Sequence, residues 1–270
     1  MAKARAGSRL DMGSVGGLLL AVGGILGGFW LENGRPHQML GVSAALIVFG
    51  GCLGATLVAN SPGLVRGAVA RLRDVFREPS TDHAGTIEEI VGYATKARKN
   101  GLVALEAEAA TIPDGFLRKA LMLAVDGADL QELRSMMELE IDLAEQQMER
   151  EAGVYESAGG FAPTIGIIGA VLGLILVMED IKDITRVGHG IAAAFVATIY
   201  GVGVANLLLL PAAHKIKLRA QAARERRELM LEGVTAIVEG MNPKLIRLKL
   251  EAFVAEQERD ATPLSHRRAA

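Results

Sequence analysis

Apolar positions in this chain are gathered into four unbroken blocks, not spread at the alternating or one-face spacing of a soluble domain. The blocks are residues 12–31, 39–65, 157–178 and 190–213, and none contains an Asp, Glu, Lys or Arg. Each is at least 20 residues long. At about 1.5 Å rise per residue such a helix spans the roughly 30 Å hydrocarbon core of a bilayer. Short links, residues 32–38 and 179–189, join the blocks in pairs. A polar region, residues 66–156, separates the pairs, and a polar tail follows from His214. The expected fold class is therefore an all-α membrane protein: four transmembrane helices with a helical cytoplasmic domain, helices 3 and 4 extended into the cytoplasm. The expected divisions are 1–65, 66–156, 157–213 and 214–270.

In the polar regions the pattern changes to helical spacing. Thr86 with Glu89 reads as a capping box opening a helix that runs through Lys99. Asp114 is placed to cap a helix reaching about Ala128. From Leu130 to Arg150 acids and bases mix with Leu and Met at helical spacing. No proline intervenes before Pro163, so the third span is expected to continue a long polar helix without a break. Beyond Pro211 a charged helix is expected to run to about Glu239, where Gly240 and the Asn242-Pro243 step stop it. A last amphipathic helix, residues 244–258, precedes a tail expected to be disordered.

Charge orients the spans. Lys3, Arg5 and Arg9 precede the first, and Arg66, Arg71, Arg73 and Arg77 follow the second. Lys215, Lys217, Arg219, Arg224, Arg226 and Arg227 follow the fourth, whereas the two short links hold only Arg35, Lys182 and Arg186 as bases. The positive-inside bias places both termini and the large polar region in the cytoplasm. The expected location is a membrane crossed several times, with lipid as solvent. The first span is too long, and too closely followed by a second, for a cleaved signal peptide. A net charge of -2 does not suggest nucleic acid. One cysteine, Cys52, lies inside an apolar block, so a disulfide framework is excluded. No catalytic residue, cofactor or metal site is expected.

The spans contain much glycine and few polar side chains. Gly16, Gly17, Gly23, Gly24, Gly27 and Gly28 crowd the first; Gly159, Gly160, Gly166, Gly169 and Gly173 the third; Gly190, Gly201 and Gly203 the fourth. Small residues let membrane helices approach closely, within one chain or between copies. Thr164, Thr198, Tyr200 and Asn206 line a wet path or satisfy nearby carbonyls. Pro163 lacks an N–H and leaves the Gly159 carbonyl without its usual partner, which either kinks the helix or exposes that carbonyl. A proton path through a membrane normally needs an ionisable relay, and these four spans supply none. A self-contained pump or transporter is therefore disfavoured.

Several motifs recur together in one family. Ala59-Asn60-Ser61-Pro62 lies near the end of the second apolar block, and Ala97-Arg98-Lys99-Asn100-Gly101-Leu102-Val103-Ala104-Leu105-Glu106 lies in the polar region. Phe161 to Gly173 reads FAPTIGIIGAVLG; Ala197-Thr198-Ile199-Tyr200-Gly201, Leu210-Pro211 and Glu239-Gly240-Met241-Asn242-Pro243 come later. In this order, within a four-span layout, the chain resembles the MotA-type stator subunits of the bacterial flagellar motor over nearly its whole length. The resemblance implies a pentamer of this chain around two MotB-like chains, whose membrane aspartate handles the ion and whose outer domain holds peptidoglycan. It implies that ion passage turns the ring, which pushes the rotor protein FliG.

Carried over by position, Arg98 and Glu106 match the rotor-contact pair. Pro163 and Pro211 match the prolines that couple ion flow to ring movement, and Thr198 the hydroxyl facing the ion path. Sodium-driven relatives carry threonines where this chain has Ala170 and Ala197. Sodium needs several oxygen ligands and methyl groups offer none, so the implied ion is the proton. Two alternatives stay open. An ExbB- or TolQ-type energy-transducing subunit usually has three spans, an external N-terminus and fewer rotor-facing charges. A non-conducting membrane scaffold would lack a gene partner bearing a membrane aspartate.

Overall fold

The structure, a computed structural model, describes residues 10–77, 82–179 and 181–261. The tail expected to be disordered lies outside the described residues from Thr262 onward. Eight helices of nine or more residues organise what is described: α1 Met12–Leu31, α2 Val42–Ala59, α3 Pro62–Val75, α4 His83–Asn100, α5 Gly115–Val125, α6 Leu130–Glu179, α7 Ile184–Val238 and α8 Pro243–Ala261. Four of them, α1, α2, α6 and α7, are long and apolar enough to cross a membrane. The chain is thus a multi-pass membrane protein, and its third and fourth spans are parts of much longer helices.

Local chemistry explains where these helices begin and end. The first N–H groups of a helix have no partner in the helix, and a side-chain oxygen just before it supplies one. Asp11 accepts from Ser14 N at 3.0 Å, Asp114 from Phe116 N at 3.0 Å, and Asp183 from Thr185 N at 3.0 Å. Ser61 accepts from Leu64 N at 3.4 Å, and Pro62 occupies the first position of α3, where a missing N–H costs nothing. The Asn60-Ser61-Pro62 motif is therefore a helix stop followed directly by a start. At the far end of α7, Gly240 takes φ 71° and Met241 N donates back to Ala236 O at 3.1 Å.

Three sequence expectations need correction. The helix expected to open at Thr86 starts at His83, because the Asp82 carboxylate takes Gly85 N at 2.7 Å and is the stronger cap. Thr86 sits inside the first turn and donates its hydroxyl to Asp82 O at 2.9 Å. The second apolar block is not one helix: α2 ends at Ala59, and Asn60 is extended before α3 begins. The fourth span starts at Ile184, six residues before the apolar block, since Asp183 caps it.

The chain divides into two compact units. One comprises residues 1–79 and 147–219, the other residues 80–146 and 220–270. The first unit holds the membrane-spanning segments and α3. Its core is small-residue and patchy: Ala68, Ala152, Ala212, Ala213 and Ile216 in one cluster, Ala44, Val48, Val196 and Ala197 in another. The second unit has one continuous core built on Ile90, Leu117, Leu121, Leu133, Met137, Leu229, Ile246 and Leu250. Gly233 leaves room there for Ile90, whose Cγ2 would lie 2.7 Å from a Cβ at that position.

Candidate functional site

In the membrane unit the site is built on the line where α6 and α7 meet. Small residues recur there at intervals of four, three and four: Ala162, Gly166, Gly169 and Gly173 on α6, Gly190, Ala194, Ala197 and Gly201 on α7. That spacing keeps each set on one helix face. The backbones then touch. A Cβ on Gly201 would stand 2.4 Å from Ala162 O, one on Gly166 3.0 Å from Ala197 O, and one on Gly173 3.0 Å from Gly190 O. Farther along, a Cβ on Gly159 would meet Leu210 Cδ2 at 2.6 Å. From Gly159 to Gly173 the seam covers about 21 Å of helix at 1.5 Å per residue. Helix α2 lies over it, with Ile47 beside Gly169 and Ile165 beside Gly51.

The residues singled out for the ion path are strung along this seam; they do not form one cluster. Ala197 is buried in it, and a Cβ on Gly169 would lie 2.8 Å from the Ala197 Cβ. Ala170 and Pro163 are half-buried on α6. Thr198 is half-buried and donates to Ala194 O at 3.2 Å. Thr164 and Asn206 are exposed and donate to Phe161 O at 2.8 Å and Val202 O at 2.9 Å. Each of these polar side chains thus satisfies its donor on its own helix, as a low-dielectric setting requires. Pro211 is exposed and stands two residues after a wide π turn, Ala205–Leu209. A proline ring clashes with the carbonyl four residues back, here Leu207, and a wide turn at this point is one way a helix relieves that clash. A second π turn, Leu46–Gly50, interrupts α2.

Three further arrangements have no local signature in the sequence. Tyr200 spans between helices: its hydroxyl donates to Met39 O at 2.6 Å and accepts from Gly41 N at 3.1 Å, while its ring stacks on Phe49 at 5.7 Å. It pins the entry of α2 to α7. Asp11, the cap of α1, is gripped by Lys215 Nζ and lies 3.5 Å from Arg219 Nη2. The Lys215 bond, with help from Ser14 N–H, holds this carboxyl down at about 2. Glu151 is buried, accepts from Arg71 Nε at 2.7 Å and Gln147 Nε2 at 2.9 Å, and rests against Gly67. This pair ties α3 to α6. Apart from the local Gln147 and Ser14, the partners stand 80 or more residues apart along the chain, so nothing in their spacing announces them.

Arg98 and Glu106 belong to the other unit. Arg98 lies in the last turn of α4 and Glu106 opens a single turn, Glu106–Ala109. Gly101 separates them at φ 83° and ψ 163°, a region effectively restricted to glycine. Both side chains are exposed, and among the described residues neither has an ion-pair partner. Their neighbours do: Lys96 bonds Glu108 at 2.5 Å. Apolar Leu105 and Ala109, both buried, anchor the segment beneath the charges. The pair is thus a rigidly based, unneutralised charge display.

Comparison with known proteins fits this geometry. The model of the MotA/TolQ/ExbB proton channel family matches residues 108–229, and that of the Motility protein A N-terminal region matches residues 15–101. Motility protein A of Helicobacter pylori is 33% identical over 249 residues, covering 92% of this chain and 97% of the relative. The solved structure of C. jejuni MotAB superposes with a TM-score of 0.86 at 30% identity, covering 90% of this chain and 96% of that one. The flagellar MotAB stator complex from Bacillus subtilis superposes at 0.84 with 32% identity, covering 92% and 98%.

Proposed function

We propose, from the premise that this chain belongs to the MotA/TolQ/ExbB proton channel family as a MotA-type flagellar stator subunit, that it carries ions only jointly with a MotB-like membrane partner. The observation behind this reading is the acid-free composition of all four spans. An ion or proton crossing low dielectric needs an ionisable or multi-oxygen stop, and here that group comes from the partner as an aspartate. Five copies of the chain surround two such partners, with the α6–α7 seam stiffening the wall that faces them. Both termini and the unit bearing Arg98 and Glu106 lie in the cytoplasm, where those two charges meet the rotor protein FliG. Pro163, Ala170, Ala197 and Thr198 belong to the ion path, and Pro211 with its π turn is the place where α7 flexes.

The coupling ion in this reading is the proton. Ala170 and Ala197 contribute no oxygen, and Thr198, which donates its hydrogen to Ala194 O, offers a single hydroxyl oxygen. That leaves too few ligands for a dehydrated sodium ion. A carboxylic acid, by contrast, is neutral once protonated and crosses low dielectric cheaply. The test is swimming speed in cells that depend on this chain, with sodium exchanged for potassium at constant pH and a protonophore then added. Speed should be indifferent to the exchange and vanish with the protonophore. Loss on sodium removal, with resistance to the protonophore, overturns the assignment.

A further inference from the structure

In the membrane unit a cleft of about 210 Å³ opens beside the glycine seam, bounded by Phe49 and Leu53 of α2, Val65 and Val69 of α3, Ala158 of α6 and Leu209 of α7. Its few polar atoms are spoken for. Cys52 Sγ donates to Ala158 O at 3.4 Å, Thr56 Oγ1 to Cys52 O at 2.7 Å, and Tyr155 OH to Ala68 O at 2.8 Å. The donors are all used and nearly all of the remaining lining is apolar, so the cleft suits a hydrocarbon occupant better than water.

The rim carries the opposite chemistry. Val69 is 64% exposed, and Arg66 and Arg73 stand three residues before and four after it, on the same face of α3. Both arginines are exposed, and among the described residues neither has an ion-pair partner. Arg71, on another face, is by contrast held by Glu151 and Asp74. A guanidinium presents a fork that matches phosphate oxygens, and two of them flank the mouth of an apolar cleft.

We infer that this face of α3 and the cleft below it form a binding site for an anionic phospholipid. The phosphodiester headgroup rests between Arg66 and Arg73, and one acyl chain enters past Val69 between α2, α3 and α7. Charge complementarity selects the occupant: a zwitterionic lipid brings a cation to two unneutralised arginines, and a neighbouring protein helix brings no phosphate. Such a lipid would fill the wedge between the outer span α2 and the α6–α7 hairpin.

The test uses the full-length chain purified with its membrane partner in mild detergent, equilibrated with equal amounts of phosphatidylglycerol and phosphatidylcholine, with retained lipid read by native mass spectrometry. Wild type should retain phosphatidylglycerol preferentially, by about 30-fold if each arginine contributes the usual interfacial attraction. Arg66→Gln with Arg73→Gln should abolish the preference. Val69→Trp, at an exposed position, should block the cleft and lower retention of both lipids while leaving the arginines in place. Equal retention of the two lipids by wild type, or unchanged phosphatidylglycerol retention in the double variant, overturns the inference. So does a Val69→Trp complex that changes subunit number with its lipid unaltered, which would assign the cleft to a neighbouring copy. The measurement is blind to motility, coupling ion and membrane side, so it stands or falls apart from the stator reading.

Discussion

At the scale of single residues, Gly101 and Arg98 separate fold from function. Gly101 adopts φ 83° and ψ 163°, which a side chain disfavours by about 1–3 kcal/mol. Gly101→Ala should therefore lower thermal stability and shift both flanking charges. Arg98 is exposed and unneutralised, so Arg98→Glu should change stability by less than about 0.5 kcal/mol. If Arg98 meets the rotor, that variant should nonetheless swim poorly on soft agar while remaining at normal level in the membrane fraction. Normal swimming would remove the contact. Asp11 makes a pH prediction. Its carboxyl titrates at about 2 in the fold against an ordinary 3.8, chiefly through Lys215. A lowered value means the stabilisation is present in full above about pH 4 and disappears as pH falls toward 2. After solvent screening it is worth about 1 kcal/mol. Unfolding of detergent-purified wild type and Asp11→Asn should differ at neutral pH and converge at about pH 2.

At the scale of elements, glycine has two distinct uses in this chain. Along α6 and α7 it permits backbone contact, and a methyl group on Gly201 would sit 2.4 Å from a carbonyl oxygen. Gly201→Ala must push the helices apart, costing about 1–3 kcal/mol by overpacking, with loss of the folded hairpin in a larger variant such as Gly201→Leu. Along α1 the glycines from Gly16 onward are open: a Cβ on Gly24 or Gly28 meets nothing within 4 Å. Gly24→Ala should leave the chain's own thermal stability unchanged. If it nevertheless weakens the purified assembly in native mass spectrometry, that face of α1 meets another subunit. The π turn before Pro211 is the third element-level device. In the proposed mechanism α7 flexes at this interruption of its regular ladder.

At the scale of the whole molecule, the membrane unit is poorly buried by itself. No residue of α1 is buried, and Ile167, Ile168, Val171, Phe195 and Val202 on α6 and α7 are all substantially exposed. Lipid covers some of this surface. A ring of five covers the rest in the proposed assembly, and single-particle imaging of the complex purified with its MotB-like partner should show five copies. A dimer or tetramer as the sole species would end that proposal. The second unit differs in kind, with large side chains such as Leu117, Leu133 and Leu250 fully buried.

Chain chemistry alone determined the number and order of the spans, the long helices through Pro163 and Pro211, the Asp114 cap and the Gly240 stop. Each of these depends on residues within a few positions of one another: hydrophobic length, a cap, a missing N–H. It misplaced the start of α4, where Asp82 outcompetes Thr86, and overran the end of α2 because Asn60 and Ser61 are uncharged and so do not interrupt hydropathy. The charge segment at Arg98 and Glu106 was legible as a motif, yet its lack of neutralising partners was not. Only tertiary structure decided that Ala197 lies buried in a backbone seam, that Tyr200 fastens the entry of α2, and that Glu151 and Asp11 are clamped by Arg71 and Lys215. Those contacts join positions 28 to 204 residues apart, and such pairings arise from how helices pack, which local periodicity does not encode.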